Sequence, residues 1–278
     1  MEIRINGKTV DIRVEHEKTV GEIMVSLDKW LANSGHMLSG LAVDGQKADS
    51  SSIENAFLRE INTVEVLDIF TRSLAEFFAM SLLDFLSDIE EYENLSFEEK
   101  NDFYESWKER AGTRFAAEQM PDLFSLYVNT FSSGGVNTEV LRSVTEERLR
   151  EVKEPVKEIT RLQPVIEDTC ARLVDLPLDV QTGKDKHAAE TLQYFSGIVE
   201  KIFRVFRQLD IQGYISEEPV SRLIIDFGTA VKELLEAYER HDSVLVGDLT
   251  EYEMAPKLKE LYDTIVENIR EEEGTQGI

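Results

Sequence analysis

Met1 to Ile5 alternates apolar and polar residues, Asn6-Gly7 follows, and Lys8 to Val14 alternates again. An Asn-Gly pair between two alternating runs is the strongest short-range signal for a tight hairpin, because both turn residues must take φ > 0. Two antiparallel strands at the start commit this region to a sheet, and its apolar face needs a cover. The cover comes next in the chain. Thr19 is placed to cap a helix whose stripe is Val20, Ile23, Leu27, Trp30 and Leu31, and Ser34-Gly35 ends it. Leu41-Ala42-Val43 reads as a third strand, Asp44-Gly45 as a second tight turn, and Ser51 to Leu58 as a helical turn. Thr63 to Leu67 is then a last alternating strand. The order ββαββ, with a crossover helix on one sheet face, is an α+β roll over residues 1–70.

Gly7-Lys8-Thr9-Val10, Ile12-Arg13-Val14 and Thr19-Val20 resemble, in order and approximate spacing, the hairpin and helix start of the ubiquitin-like, or β-grasp, family. Leu41 to Gly45 is similar to that family's third strand and turn, and Thr63 to Leu67 to its final strand. The resemblance places the family's apolar recognition patch on Ala42 and Leu67. The family's loop leucine has no counterpart, because the first turn is shorter. No diglycine follows Leu67; the chain runs on into helix. The resemblance therefore implies a built-in docking domain and not a conjugated modifier, and it speaks to fold more than to function.

Residues 71–270 read as an all-α helical bundle of about seven helices. Leu74, Phe77, Phe78, Leu82, Phe85, Leu86 and Ile89 form one apolar stripe, and Ser96-Phe97-Glu98-Glu99 is a capping box opening the next helix. Pro121 is placed near the start of a third helix, and residues 132–137 form a candidate hinge. Thr138 to Leu176 is helical, divided or kinked at Pro155 and Pro164. Leu176-Pro177 to Lys184 reads as a loop, with Asp185 capping the helix that follows. Two further helices span Glu217 to Tyr238 and Pro256 to Ile269, and 271–278 is a frayed acidic tail.

The net charge is −25. Up to Phe70 there are 7 basic and 12 acidic residues, against 23 and 43 beyond it, so the helical part carries most of the excess. Such a field repels phosphate backbones and anionic membranes and suits a basic protein surface. No apolar run approaches the ~20 residues that span a bilayer. The single cysteine, Cys170, lies in an apolar helical stripe and reads as inert packing. With no secretory h-region ahead of the first strand, the expected compartment is the cytoplasm.

No motif carries chemistry. Gln181 to Asp185 lacks the earlier glycine, the Ser or Thr after the lysine and the preceding strand of a phosphate loop. His16, His36, His187 and His241 show no metal-ligand spacing and read as surface residues. Asp84, Asp88 and Glu91 share a helix face, and Asp248, Glu251 and Glu253 cluster; both groups read as solvated acidic surface, not as cation sites. Lys201, Arg204 and Arg207 form a basic strip at i, i+3, i+6. It either pairs with the protein's own carboxylates, the preferred reading, or binds an acidic partner segment. The expectation is a non-catalytic adaptor, scaffold or assembly factor that docks a protein partner and needs no cofactor. Its rivals are a metal-dependent enzyme using the acidic helices and a chaperone-like protein capping a client helix.

Overall fold

Asn6 and Gly7 close the first hairpin at φ of 49° and 79° in the computed structural model, and Asp44 and Gly45 repeat the geometry at 52° and 79°. The structure describes residues 1–12, 16–33, 35–49, 51–134, 137–216, 218–240 and 242–269. The first turn joins β1 (Glu2–Ile5) to β2 (Lys8–Val10). The second joins β3 (His36–Val43) to β4 (Gln46–Lys47). With β5 (Val66–Ser73) they form a mixed sheet in the order β2-β1-β5-β3-β4, in which β1 and β5 run parallel and the other pairs antiparallel. Asp44 clips its turn to β5 by accepting the backbone N–H groups of Glu65 (2.8 Å) and Val66 (2.9 Å) and the Arg59 guanidinium (2.7 Å). These donors, Val66 foremost, hold its carboxyl below the ordinary aspartate range.

The crossover helix α1 (Val20–Asn33) lies on one sheet face. Val20, Ile23, Met24, Leu27 and Leu31 pack there with Ile3, Leu41, Val43, Leu67 and Ile69. The Thr19 hydroxyl accepts the Glu22 N–H at 3.3 Å, and the Glu22 carboxylate accepts the Lys18 N–H at 2.6 Å, so two orphan donors at the helix start are satisfied. Gly35, at φ 68°, follows the helix in the left-handed conformation. A short helix α2 (Ile53–Leu58) and a 3₁₀ turn (Ile61–Thr63) lead into β5. The whole is a mixed five-stranded sheet with a crossover helix on one face, an α+β arrangement.

Two strand boundaries depart from the sequence reading. β3 begins at His36, not Leu41, and β5 covers Val66–Ser73, not 63–67. The reason lies at Thr71, a polar residue in an inward position that breaks the apolar alternation. It is buried, and Asn6 satisfies it. The Asn6 amide donates to the Thr71 carbonyl (3.1 Å) and hydroxyl (3.0 Å) and accepts the Thr71 N–H (2.9 Å). The sheet therefore ends at Ser73 and not at residue 70. Residues 13 and 14, the expected end of the second strand, lie outside the described residues.

Two compact units divide the chain at Met1–Ser81 and Leu82–Ile278, and the division falls within α3 (Leu74–Glu93). α4 (Phe97–Lys108), α5 (Ala111–Gln119) and α6 (Pro121–Ser132) follow. The Ser96/Glu99 capping box forms, with the Glu99 carboxylate accepting the Ser96 N–H at 2.9 Å. Phe85, Tyr92, Phe103, Trp107, Tyr127 and Phe131 are buried together. Trp107 stacks on Phe124 at 5.8 Å between centroids and meets Phe131 edge-on at 5.2 Å. The helix α5, rich in alanine and polar residues, has no apolar stripe and was not expected.

The long helical stretch splits at its prolines into α7 (Glu139–Lys153), α8 (Pro155–Arg161) and α9 (Gln163–Gln181), with Pro155 and Pro164 in first turns. Pro177 overturns the loop expected there: it lies inside α9. Its ring sits against Gly247, where an added Cβ would lie 3.2 Å from the proline Cβ, so tertiary packing outweighs the lost backbone donor. Then come α10 (Asp185–Ile211), α11 (Glu218–Glu239), α12 (Ser243–Leu249), a π-helical turn (Thr250–Met254) and α13 (Ala255–Glu267). Lys184, not Asp185, is the residue flanking α10, and no side chain caps that end. From α8 onward the core holds Ile159, Phe195, Ile202, Val205, Leu209, Phe227, Leu234, Leu258 and Leu261. No described helix is long and apolar enough to cross a membrane. Residues 135–136 of the expected hinge and the tail 271–278 lie outside the described residues.

Candidate docking surface

Ala42 and Leu67 do not form an exposed patch. Leu67 is 0% exposed and faces α1, and Ala42 is buried at 6%. The parity of β5 explains Leu67: it shares its face with Ile69 and pairs with Val43 across β3, all within the core under α1. The opposite sheet face carries Glu2, Arg4, Thr9 and Asp68 beside Ala42 and the partly exposed Phe70. Glu2 accepts Arg4 Nε at 2.9 Å and the Thr9 hydroxyl at 2.6 Å, and these two partners bring its carboxyl down to about 2.

The basic strip of α10 turns inward within the helical unit. Lys201 Nζ donates to Glu147 at 2.6 Å and lies 3.7 Å from Glu158. Arg204 grips Glu151 with two bonds of 3.0 and 3.1 Å. Arg207 donates to the Gln119 carbonyl (3.1 Å) and side-chain oxygen (2.7 Å). The strip therefore ties α10 to α7, α8 and the end of α5. The Glu151 and Glu158 side chains are 3% and 5% exposed, which makes these pairs internal struts and not a recognition surface. Burial pushes the Glu151 carboxyl up to about 7, against the pull of Arg148 and Lys201.

The acidic face of α3 is not uniformly solvated. Asp88 is 5% exposed; it accepts the Trp107 indole N–H at 2.9 Å and pairs with Arg110, which also reaches Glu91 at 3.1 Å. Burial raises the Asp88 carboxyl, while Arg110 and Trp107 oppose that shift. A helical period shows which residues share a face, but not that a tryptophan from α4 will meet it. Among the described residues no group of three or more His, Cys, Asp or Glu is arranged to hold a metal ion.

Several of the remaining sequence candidates have structural partners. Gly183 closes α9 at φ 72°, and Lys184 and His187 both pair with Asp179. Glu253 lies 3.1 Å from Lys257. The half-buried Cys170 thiol donates to the Ala255 carbonyl at 3.4 Å, and burial raises its pKa. His16 and His36 are exposed; His241 lies outside the described residues.

The surface that sequence reasoning missed is the outer side of α1. Trp30 was expected in the core stripe, yet it is 58% exposed, and Val25 is 62% exposed. On α2, Leu58 is 74% exposed. Two grooves flank this helix and share Glu17 and Ser26, whose hydroxyl donates to Glu17 at 3.0 Å. One, of about 470 Å³, lies toward the hairpin and is walled by Val10, Ile12, Leu27 and Trp30. The other, of about 850 Å³, lies toward α2 and is walled by Met24, Val25, Phe57 and Leu58. Apolar side chains gathered on a solvent face, rimmed by polar ones, are the usual mark of a contact surface. The spacing held a signal. Val25 falls between the core positions Met24 and Leu27, and Trp30 beside Leu31, so the apolar set of α1 is wider than one face can bury.

Residues 1–73 match the model of the TP0873 N-terminal domain, and residues 156–264 match that of a domain of unknown function, DUF8042. Neither is described as ubiquitin-like. The first match ends at the last residue of β5, and the second covers most of α8 to α13. An uncharacterized protein of Treponema pallidum (strain Nichols) is 20% identical over 271 residues, covering 96% of this chain and 96% of that one. No solved structure matches. The chain is thus similar, nearly end to end, to a protein of about the same length.

Proposed function

We propose that this is a non-catalytic interaction protein that docks a protein partner on the outer face of α1. The observation carrying this reading is the pair of apolar grooves with Trp30, Val25 and Leu58 exposed along them. The sheet order and crossover helix support a ubiquitin-like relationship for residues 1–73, with its contact face moved from the sheet to the helix. The net charge of −25 favours a protein partner over nucleic acid. The metal-dependent alternative loses a ligand it leaned on, since Asp88 is committed to Trp107 and Arg110.

The test uses full-length bait in extract of the native cell, wild type beside the triple variant Val25→Gln, Trp30→Gln, Leu58→Gln, with captured proteins quantified by mass spectrometry. These are exposed positions, so the variant should keep the wild-type circular dichroism and melting temperature to within a few degrees. A protein held by wild type and lost by the variant is the expected result. Equal capture of every protein by both baits would overturn the α1 reading.

A further inference from the structure

We infer that the α1 surface is shaped for a cationic amphipathic segment: a partner stretch with an apolar stripe flanked by lysine or arginine. This inference rests on the docking reading above and adds the chemistry of the partner. The grooves supply its apolar half. Volumes of about 470 and 850 Å³ leave room for several large side chains, one set on each side of the Glu17–Ser26 ridge. The rim supplies its charged half. Among the described residues, Asp11, Glu17, Glu22 and Asp28 line the two grooves, against Lys29 as the one lysine or arginine lining either. An acidic rim around an apolar floor attracts a basic segment over distance and holds it by burial at contact. The same rim argues against other occupants. A second copy of a chain with net charge −25 brings like charge to the same place, and phosphate-bearing ligands are repelled.

The full-length protein is titrated with three short synthetic peptides. The first carries leucines at helical spacing and lysines on the flanks. The second has the same composition shuffled so that the stripe is broken, and the third keeps the stripe but carries glutamate in place of lysine. Binding is read by fluorescence anisotropy of the labelled peptide and located by amide chemical-shift changes. The first peptide should bind about tenfold or more tightly than either control, a gap of about 1.4 kcal/mol. It should shift resonances of α1 and α2, weaken with salt, and lose affinity in both the Val25/Trp30/Leu58 glutamine variant and a Glu22→Gln, Asp28→Asn variant.

If the glutamate peptide binds α1 as well as the lysine peptide, the cationic assignment fails while the docking reading stands. If the shuffled peptide binds equally, attraction is charge alone and the grooves contribute nothing. If no peptide disturbs α1, both readings fall. A dimer in sedimentation that dissociates on the glutamine substitutions would assign the surface to a second copy and overturn the inference.

Discussion

Replacing Arg204 by alanine is expected to destabilise the helical unit by about 3–5 kcal/mol, because it leaves the buried Glu151 carboxylate without its two-bonded partner. The loss should depend on pH, and its sign follows from the carboxyl. In the folded protein burial raises Glu151 from its ordinary value of 4.5 to about 7. A raised carboxyl contributes its stability fully below the unfolded value and loses it as pH climbs through the folded one. Removing Arg204 raises the folded value further, so the deficit relative to wild type should be smaller near about pH 5 than near about pH 8. Urea unfolding of wild type, Arg204→Ala and Arg204→Ala/Glu151→Gln, followed by circular dichroism at both pH values, measures it. The double variant should recover part of the loss and flatten the pH dependence. A deficit of equal size at both pH values would mean that Glu151 does not carry the effect.

Asp88→Ala should cost about 3 kcal/mol, since it strands a buried indole N–H and removes the charge facing Arg110. Asp88→Asn keeps an acceptor for Trp107 and loses only the charge, so its cost should be nearer 1 kcal/mol, given that Arg110 is 37% exposed and retains Glu91. The ordering of the two variants in denaturant melts separates a bonded carboxylate from a solvated one. Two values within about 0.5 kcal/mol of wild type, the range of ordinary surface changes, would return Asp88 to the solvent face.

Local chemistry was legible in the sequence wherever the determinant was local. Asn6-Gly7 and Asp44-Gly45 need positive φ whatever surrounds them, and Ser96 and Glu99 satisfy each other within one turn. Pro155 and Pro164 mark helix starts for the same reason. Misreadings arose where a distant residue decides. Pro177 is tolerated in α9 because it packs on Gly247, seventy positions on. Asp88 is buried because Trp107 and Arg110 come to it, and β5 continues past Phe70 because Asn6 satisfies Thr71. Trp30 shows the remaining difficulty. An amphipathic stripe is read as one set, and helical spacing alone does not separate its last buried member from its first exposed one.

The contact between Pro177 and Gly247 couples the spacing of α9 to that of α12. A side chain at 247 would press within 3.2 Å of the Pro177 Cβ and 3.6 Å of its Cγ, so one of the two helices must give by a few tenths of an ångström to admit it. Exchanging the proline removes the Cγ contact and returns a backbone donor to α9, but every replacement except glycine keeps a Cβ at the same place. The closest approach is therefore set by backbone position and outlasts the ring, and a change at either site is felt as a shift of the helix that carries the other.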